Sequence, residues 1–178
     1  MEKITFLTGN RSFATELILA ASLATVEGSK EEEINLQLLL DCVQISRKIK
    51  GDEHPNVGWG YIQLLKYSLM KQNFSEAEKY STAAIYISAC HGDENLLHAE
   101  TTFQIGEIKA AKLDHSSAKE HFLEALQVRQ KLLGNRHFSL VPCLRRLAIC
   151  AFRVDDQAEA NQCLALVQKI QTQHEAVS

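Results

Sequence analysis

Apolar residues recur along most of the chain at helical spacing. Val57, Tyr61, Leu64, Leu65 and Leu69 follow an i, i+4, i+7, i+8 pattern, which puts them on one face of an α-helix. The polar run Lys71-Gln72-Asn73 breaks that stripe. A second stripe then runs through Ala77, Tyr80, Ala84, Ile85 and Ile87 to Cys90. Ser75, three residues before Glu78, fits a capping box at its start. Gly92, in His91-Gly92-Asp93, suits the left-handed position that closes a helix. The same alternation predicts helices near 95–111 and 115–133, joined at Leu113-Asp114. It predicts another pair near 137–153 and 156–172, with Asp155 or Asp156 as N-cap. Upstream, 11–26 and 30–50 form a pair joined at Gly28-Ser29. Glu31, Glu32 and Glu33 fall in the first turn of its second helix, where negative charge suits the helix dipole. Eight helices in four hairpins account for nearly all of the chain, and no strand is needed.

The hairpins repeat. Gly51, Gly92 and Gly134 are spaced 41 and 42 residues apart, and a further step of 42 back from Gly51 lands on Gly9. The segment around Gly9, TGNRSF, is similar to GNRHFS at 134–139. Such a period marks stacked supersecondary units. The expected organisation is a single domain over 1–178, with a degenerate unit at 9–50 and units at 51–91, 92–133 and 134–174.

Small residues sit at fixed places in these units. The second helices carry Ala77 and Ala84, then Ala118 and Ala125, then Ala160 followed by Val167. The first helices carry Ile105-Gly106 and Leu147-Ala148, with Leu64-Leu65 as a departure. Tyr61 is replaced by Thr102 and Leu144 in later units, and Asn35 and Cys42 replace the alanines in the first. This pattern resembles the tetratricopeptide repeat. The usual period of that family is about 34 residues, so the longer period here resembles the kinesin-light-chain type. Gly51-Asp52-Glu53-His54-Pro55-Asn56-Val57 is similar to that type's inter-repeat loop. Asn73 to Glu78 resembles its hairpin turn, and Ala125 to Gly134 the end of its second helix. The resemblance implies an all-α, right-handed α-solenoid of helix-turn-helix hairpins whose first helices line a concave, peptide-binding face. The family's ligand-contacting asparagine pair falls on Ile62-Gln63, Phe103-Gln104 and Arg145-Arg146, and no asparagine stands there. What remains is a polar row of Gln63, Gln104 and Arg146, with Lys66 and Glu107 about one turn on. Trp59, the one tryptophan, is either a packed residue or an exposed anchor.

Composition narrows the function. Hydrophobic residues make up 46% and charged residues 23%, and the net charge is −3. That supports a packed core and argues against a polyanion-binding chain. No apolar run approaches the roughly 18 residues a membrane-spanning helix needs. The N-terminus lacks the apolar stretch and cleavage site of a signal peptide. Five cysteines, Cys42, Cys90, Cys143, Cys150 and Cys163, lie among apolar neighbours with no CxxC. They are expected as reduced core residues of a cytoplasmic protein. No HExxH, Walker A, GxGxxG or GxSxG pattern occurs, so no enzyme activity, cofactor or metal is expected. Asp114-His115-Ser116 is expected as the entry to a helix rather than a triad. His54-Pro55 is expected to start a helix, with partner contact by His54 as the alternative.

Charge is unevenly spread. Gln127 to Val154 carries Arg129, Lys131, Arg136, Arg145, Arg146 and Arg153 and no acid, whereas 93–107 carries Asp93, Glu94, Glu100 and Glu107 and no base. The two stretches could complement each other between repeats. Alternatively Arg145 and Arg146 could take an acidic peptide or a C-terminal carboxylate, which guanidinium forks match. The expected function is a non-enzymatic scaffold or adaptor. It would hold a peptide or helix of a partner protein at Gln63, Lys66, Gln104, Arg145 and Arg146, with no nucleic acid and no membrane involved. One rival is a self-associating repeat array, favoured if Ile62 and Phe103 are exposed. Another is a regulatory fragment of a larger protein. The sequence leaves the oligomeric state open.

Overall fold

The computed structural model describes residues 30–92 and 94–175. The helix expected at 11–26, its Gly28-Ser29 joint and the Gly9 segment lie outside the described residues. So do the side chains of Glu31, Glu32 and Glu33. Seven α-helices occupy the described residues: α1 Lys30–Lys50, α2 Pro55–Met70, α3 Phe74–Cys90, α4 Leu96–Ala111, α5 His115–Leu133, α6 Val141–Arg153 and α7 Gln157–Glu175. Helices α2 and α3, α4 and α5, and α6 and α7 pack as antiparallel hairpins, and successive hairpins stack into an α-solenoid.

Two kinds of turn alternate, each with its own chemistry. Inside the hairpins Gln72, Leu113 and Asp155 take left-handed φ values of 56°, 62° and 59°. The N–H of the next residue reaches back to close the preceding helix. Asn73 donates to Ser68 O at 2.9 Å, Asp114 to Lys109 O at 3.0 Å and Asp156 to Ala151 O at 2.9 Å. The side chains of the same three residues then accept the N–H groups of Glu76, Ser117 and Glu159, starting the next helix. The N-cap of α3 is therefore Asn73, two residues before the expected Ser75. The Schellman closure of α2 places Asn73 at the junction, so the helix has already begun when Ser75 is reached.

Between hairpins Gly51, Gly92 and Gly134 hold φ values of 92°, 82° and 86°. Open space surrounds each α-carbon, so backbone conformation rather than crowding requires glycine there. Three residues later His54, Asn95 and His137 each accept a backbone N–H as N-cap. His54 thus has a structural role in the loop: its Nδ1 accepts from Asn56 while Pro55 opens α2. The last unit deviates. The helix expected over 137–153 is split into a 3₁₀ turn, Phe138–Leu140, and α6. Pro142 has no N–H to carry an α-helical ladder in from upstream, so it can sit only in the first turn of a new helix.

Small residues let the helices close up. Ala77, Ala84, Ala118 and Ala125 are fully buried. A Cβ on Gly106 would stand 2.6 Å from the Phe122 ring. Phe122 fills that space and packs against Phe103 with ring centroids 5.2 Å apart. Ile62 and Phe103 belong to this interior, at 0% and 9% exposure, which removes the exposure on which the self-association rival rested. Trp59 is half-buried and packs on the cluster of Leu39, Val57 and Ile62, the packed rather than the anchor reading. Cys143, Cys150 and Cys163 are buried thiols, but Cys90 is exposed and Cys42 only half-buried, so these two depart from the expected core role. Cys90 is the last residue of α3, where the packed stripe of that helix ends.

A candidate peptide-binding groove

The 41–42-residue period places equivalent positions of α2, α4 and α6 side by side. Where their first-helix faces meet, the surface opens into a groove of about 650 Å³. Its apolar wall includes Leu69, Met70, Phe138, Pro142 and Ile149. Its polar wall consists of Lys66 from α2, Gln104 and Glu107 from α4, and Arg145 and Arg146 from α6. Four of the five residues singled out from the sequence therefore meet in one place. Gln63 is half-buried on α2 and does not line this groove.

The acidic and basic stretches face each other, twice within the α4–α5 hairpin and once across the boundary to α6. Glu94 pairs with Lys131, Glu100 with Arg129 and Glu107 with Arg146. Half of the basic residues between 127 and 154 are thus engaged within the chain. Arg145 makes no ion pair among the described residues.

The two groove carboxylates are held differently. Glu100 Oε1 receives Lys66 Nζ at 2.8 Å and Gln104 Nε2 at 3.0 Å, and Oε2 receives a donor from Arg129. Arg129 itself is buried, donates to Ser139 O at 2.9 Å and lies over the Phe103 ring at 5.2 Å. Burial pushes the Glu100 carboxyl up, but Lys66, Arg129 and Gln104 outweigh it and hold it below the usual carboxylate range. Glu107 has one cation. Arg146 NH2 donates to Oε2 at 2.6 Å, while its Nε lies 2.6 Å from Oε1, off the line a hydrogen bond needs. Here burial wins over Arg146, helped by the negative charge of Glu100, and the carboxyl sits above its usual range. Gln104 is buried and committed to Glu100, so it shapes the wall more than it offers a hydrogen bond.

Sequence reasoning did not single out Glu100. The available signal was its spacing: Glu100 and Glu107 are seven residues apart, on the same face of one helix. The apolar wall was also missed, because Met70 ends one helix and Phe138 stands in a 3₁₀ turn, outside any stripe.

The described residues contain no cluster of three or more His, Cys, Asp or Glu able to hold a metal ion. One constellation has triad letters. His98 Nε2 lies 3.0 Å from Glu124, and its Nδ1 lies 3.5 Å from Ser88 Oγ. Ser88 is fully buried and donates to Ile85 O at 2.8 Å, so it has neither the access nor the free hydroxyl of a nucleophile. Asp114 caps α5, as expected of a helix entry. No described helix is long and apolar enough to cross a membrane.

Residues 97–173 match the tetratricopeptide repeat family. That segment carries tetratricopeptide repeats. Among solved structures, the chain is similar to BtubC (BKLC) from P. vanneervenii, with a TM-score of 0.74 and 18% identity over 91% of this chain. It is also similar to the nearly identical TPR-like repeats of a putative kinesin light chain from Podosopora anserina, with a TM-score of 0.70 and 18% identity over 92% of this chain. A singly substituted form of the latter gives a TM-score of 0.69 and 19% identity over 92% of this chain. The chain spans 64% of the length of BtubC and 78% of the Podosopora chains. At these identities the likeness is one of fold. No curated protein sequence matches the chain significantly. Tetratricopeptide repeats as a class mediate protein–protein interaction.

Proposed function

We propose that this repeat chain is a non-enzymatic, cytoplasmic interaction module that holds an extended or helical segment of a partner protein in the groove between α2, α4 and α6. The segment combines apolar side chains with at least one acidic group. The observation that carries this reading is the pairing of an apolar wall, Met70, Phe138, Pro142 and Ile149, with Arg145, a groove cation that has no ion-pair partner among the described residues. Apolar contacts supply affinity to such a segment, and a guanidinium fixes its register by taking a carboxylate. Lys66, Arg145 and Arg146 are the groove's positive side. Gln63 is a second polar position on α2, beyond the groove lining.

The test is a fluorescence titration against synthetic peptides of leucine and serine carrying either glutamate or lysine. The glutamate series is expected to bind and to weaken with added salt. Arg145→Glu is expected to abolish that binding with an unchanged circular dichroism spectrum. Salt-independent binding, or binding retained by Arg145→Glu, would sink the acidic-ligand reading. Failure of every peptide to bind would sink the groove itself.

A further inference from the structure

Arg145 and Arg146 are consecutive on α6 and line the same groove, yet among the described residues only Arg146 has a counter-charge. Arg146 is taken by Glu107, whose side chain is 18% exposed. Among the described residues no second side chain donates to Glu107. The charged and titratable groups acting on it are Arg146, Cys143 and Cys150 from α6, Lys66 from α2, and Glu100 from its own helix. Lys66 is already bonded to Glu100. One oxygen of Glu107, Oε1, is shielded from solvent; Arg146 Nε lies 2.6 Å from it, off the line of a hydrogen bond, and no other group among the described residues donates to it. A buried carboxylate needs several donors to repay its lost hydration, and among the described residues Glu107 has a single partner side chain, the Arg146 guanidinium. Burial accordingly raises its carboxyl toward the neutral form, whereas Glu100 is held charged.

We propose that Glu107 is an internal stand-in for a ligand carboxylate: it occupies Arg146 until an acidic side chain of the bound segment displaces it. The proposal rests on the groove reading above and specifies its ligand class. The groove then has one standing anion seat, at Arg145. A second seat, at Arg146, opens only to a segment that brings a second carboxylate. The exchange conserves charge at Arg146, which trades one carboxylate for another. The displaced Glu107 keeps the attraction of Lys66. A segment with one acidic residue leaves the Glu107–Arg146 clasp closed. Glu107 thereby discriminates between singly and doubly acidic partners.

Two measurements on the full chain test this. The first needs no peptide. Phenylglyoxal, which attacks accessible guanidinium groups, is applied briefly and the modified arginines are mapped by mass spectrometry. In the wild type Arg145 is expected to react several-fold faster than Arg146, and Glu107→Gln is expected to bring the two rates together. Equal rates in the wild type would overturn the clasp. The second compares two fluorescein-labelled leucine–serine peptides, one with a single glutamate and one with two. Glu107→Gln is expected to tighten the two-glutamate probe by about tenfold and to leave the one-glutamate probe unchanged. Arg146→Gln is expected to erase that gain. Equal gains for both probes would overturn the proposal. If neither probe binds any variant, the groove reading falls and this inference with it, while the labelling ratio still reports whether the clasp exists. Should Glu107→Gln fold poorly, Glu107→Asp keeps the charge but draws it back from Arg146. It is expected to raise Arg146 labelling in the same direction, and no rise would count against the proposal.

Discussion

Glu100 and Glu107 stand two turns apart on one face of α4, and both are largely withdrawn from water. One is knotted to Lys66, Arg129 and Gln104 and stays charged below the usual carboxylate range. The other has Arg146 alone and is pushed toward its neutral form. Burial acts in the same direction on both, so the number of donors decides the difference. A carboxylate with three donors becomes part of the repeat interface. A carboxylate with one becomes the part of that interface a ligand can replace.

The sharpest way to break this comparison is Glu100→Gln. It leaves Arg129, 6% exposed, without its counter-charge. Removing one partner of a buried pair costs about 3–5 kcal/mol, and urea unfolding should show a loss of that order. A loss no larger than that of Glu107→Gln would make the two carboxylates equivalent.

Acid should separate them next. Glu100 has a lowered folded-state value, so its stabilisation is present above the ordinary carboxylate value of 4.5 and is lost as pH falls through the lowered one. Glu107 has a raised value, so its contribution is greatest below 4.5 and is lost as pH rises through the raised one. Glu76, Glu78 and Asp114 are also held below their ordinary values, so thermal melts from neutral to acid pH should show a shallower acid limb in Glu100→Gln and a steeper one in Glu107→Gln. A parallel change in both variants would contradict the assignment.

At neutral pH Glu107→Gln should itself change stability by less than about 1 kcal/mol, because its partner Arg146 is 44% exposed and well screened. Urea unfolding beside Glu100→Gln checks it. The smallest effect is expected for Arg145→Gln. As a surface position without an ion pair among the described residues it should stay within about 0.5 kcal/mol of wild type, while still weakening the glutamate peptides. A large destabilisation would mean that Arg145 serves the fold rather than a ligand.

Much of the fold was legible in the sequence because its signals are local. Helical apolar spacing placed the six helices from Pro55 to Glu175 within a few residues of their observed ends, apart from the 3₁₀ entry to the last pair. The glycines at 51, 92 and 134 marked the inter-hairpin turns because a positive φ excludes most other residues. The caps were less legible. His54 and His137 occupy the position that Asn95 fills, and a histidine seldom signals an N-cap in sequence. Ser75 and Glu78 carried a capping-box pattern that the backbone did not use. Of the site, the basic stretch was visible, but which of its residues remained free was not.

By itself the sequence determined the helices, their period and the uneven distribution of charge, since each is written in neighbours a few residues apart. Only the tertiary structure decided what that charge does. The partners Glu94–Lys131, Glu100–Arg129 and Glu107–Arg146 lie 29 to 39 residues apart in the chain. The first two meet because the α4–α5 hairpin folds back on itself, and the third because the next hairpin stacks α6 beside α4. Burial then sets one carboxylate apart from the other. Desolvation depends on how many chain segments surround a group and how many donors they bring, and linear spacing encodes neither.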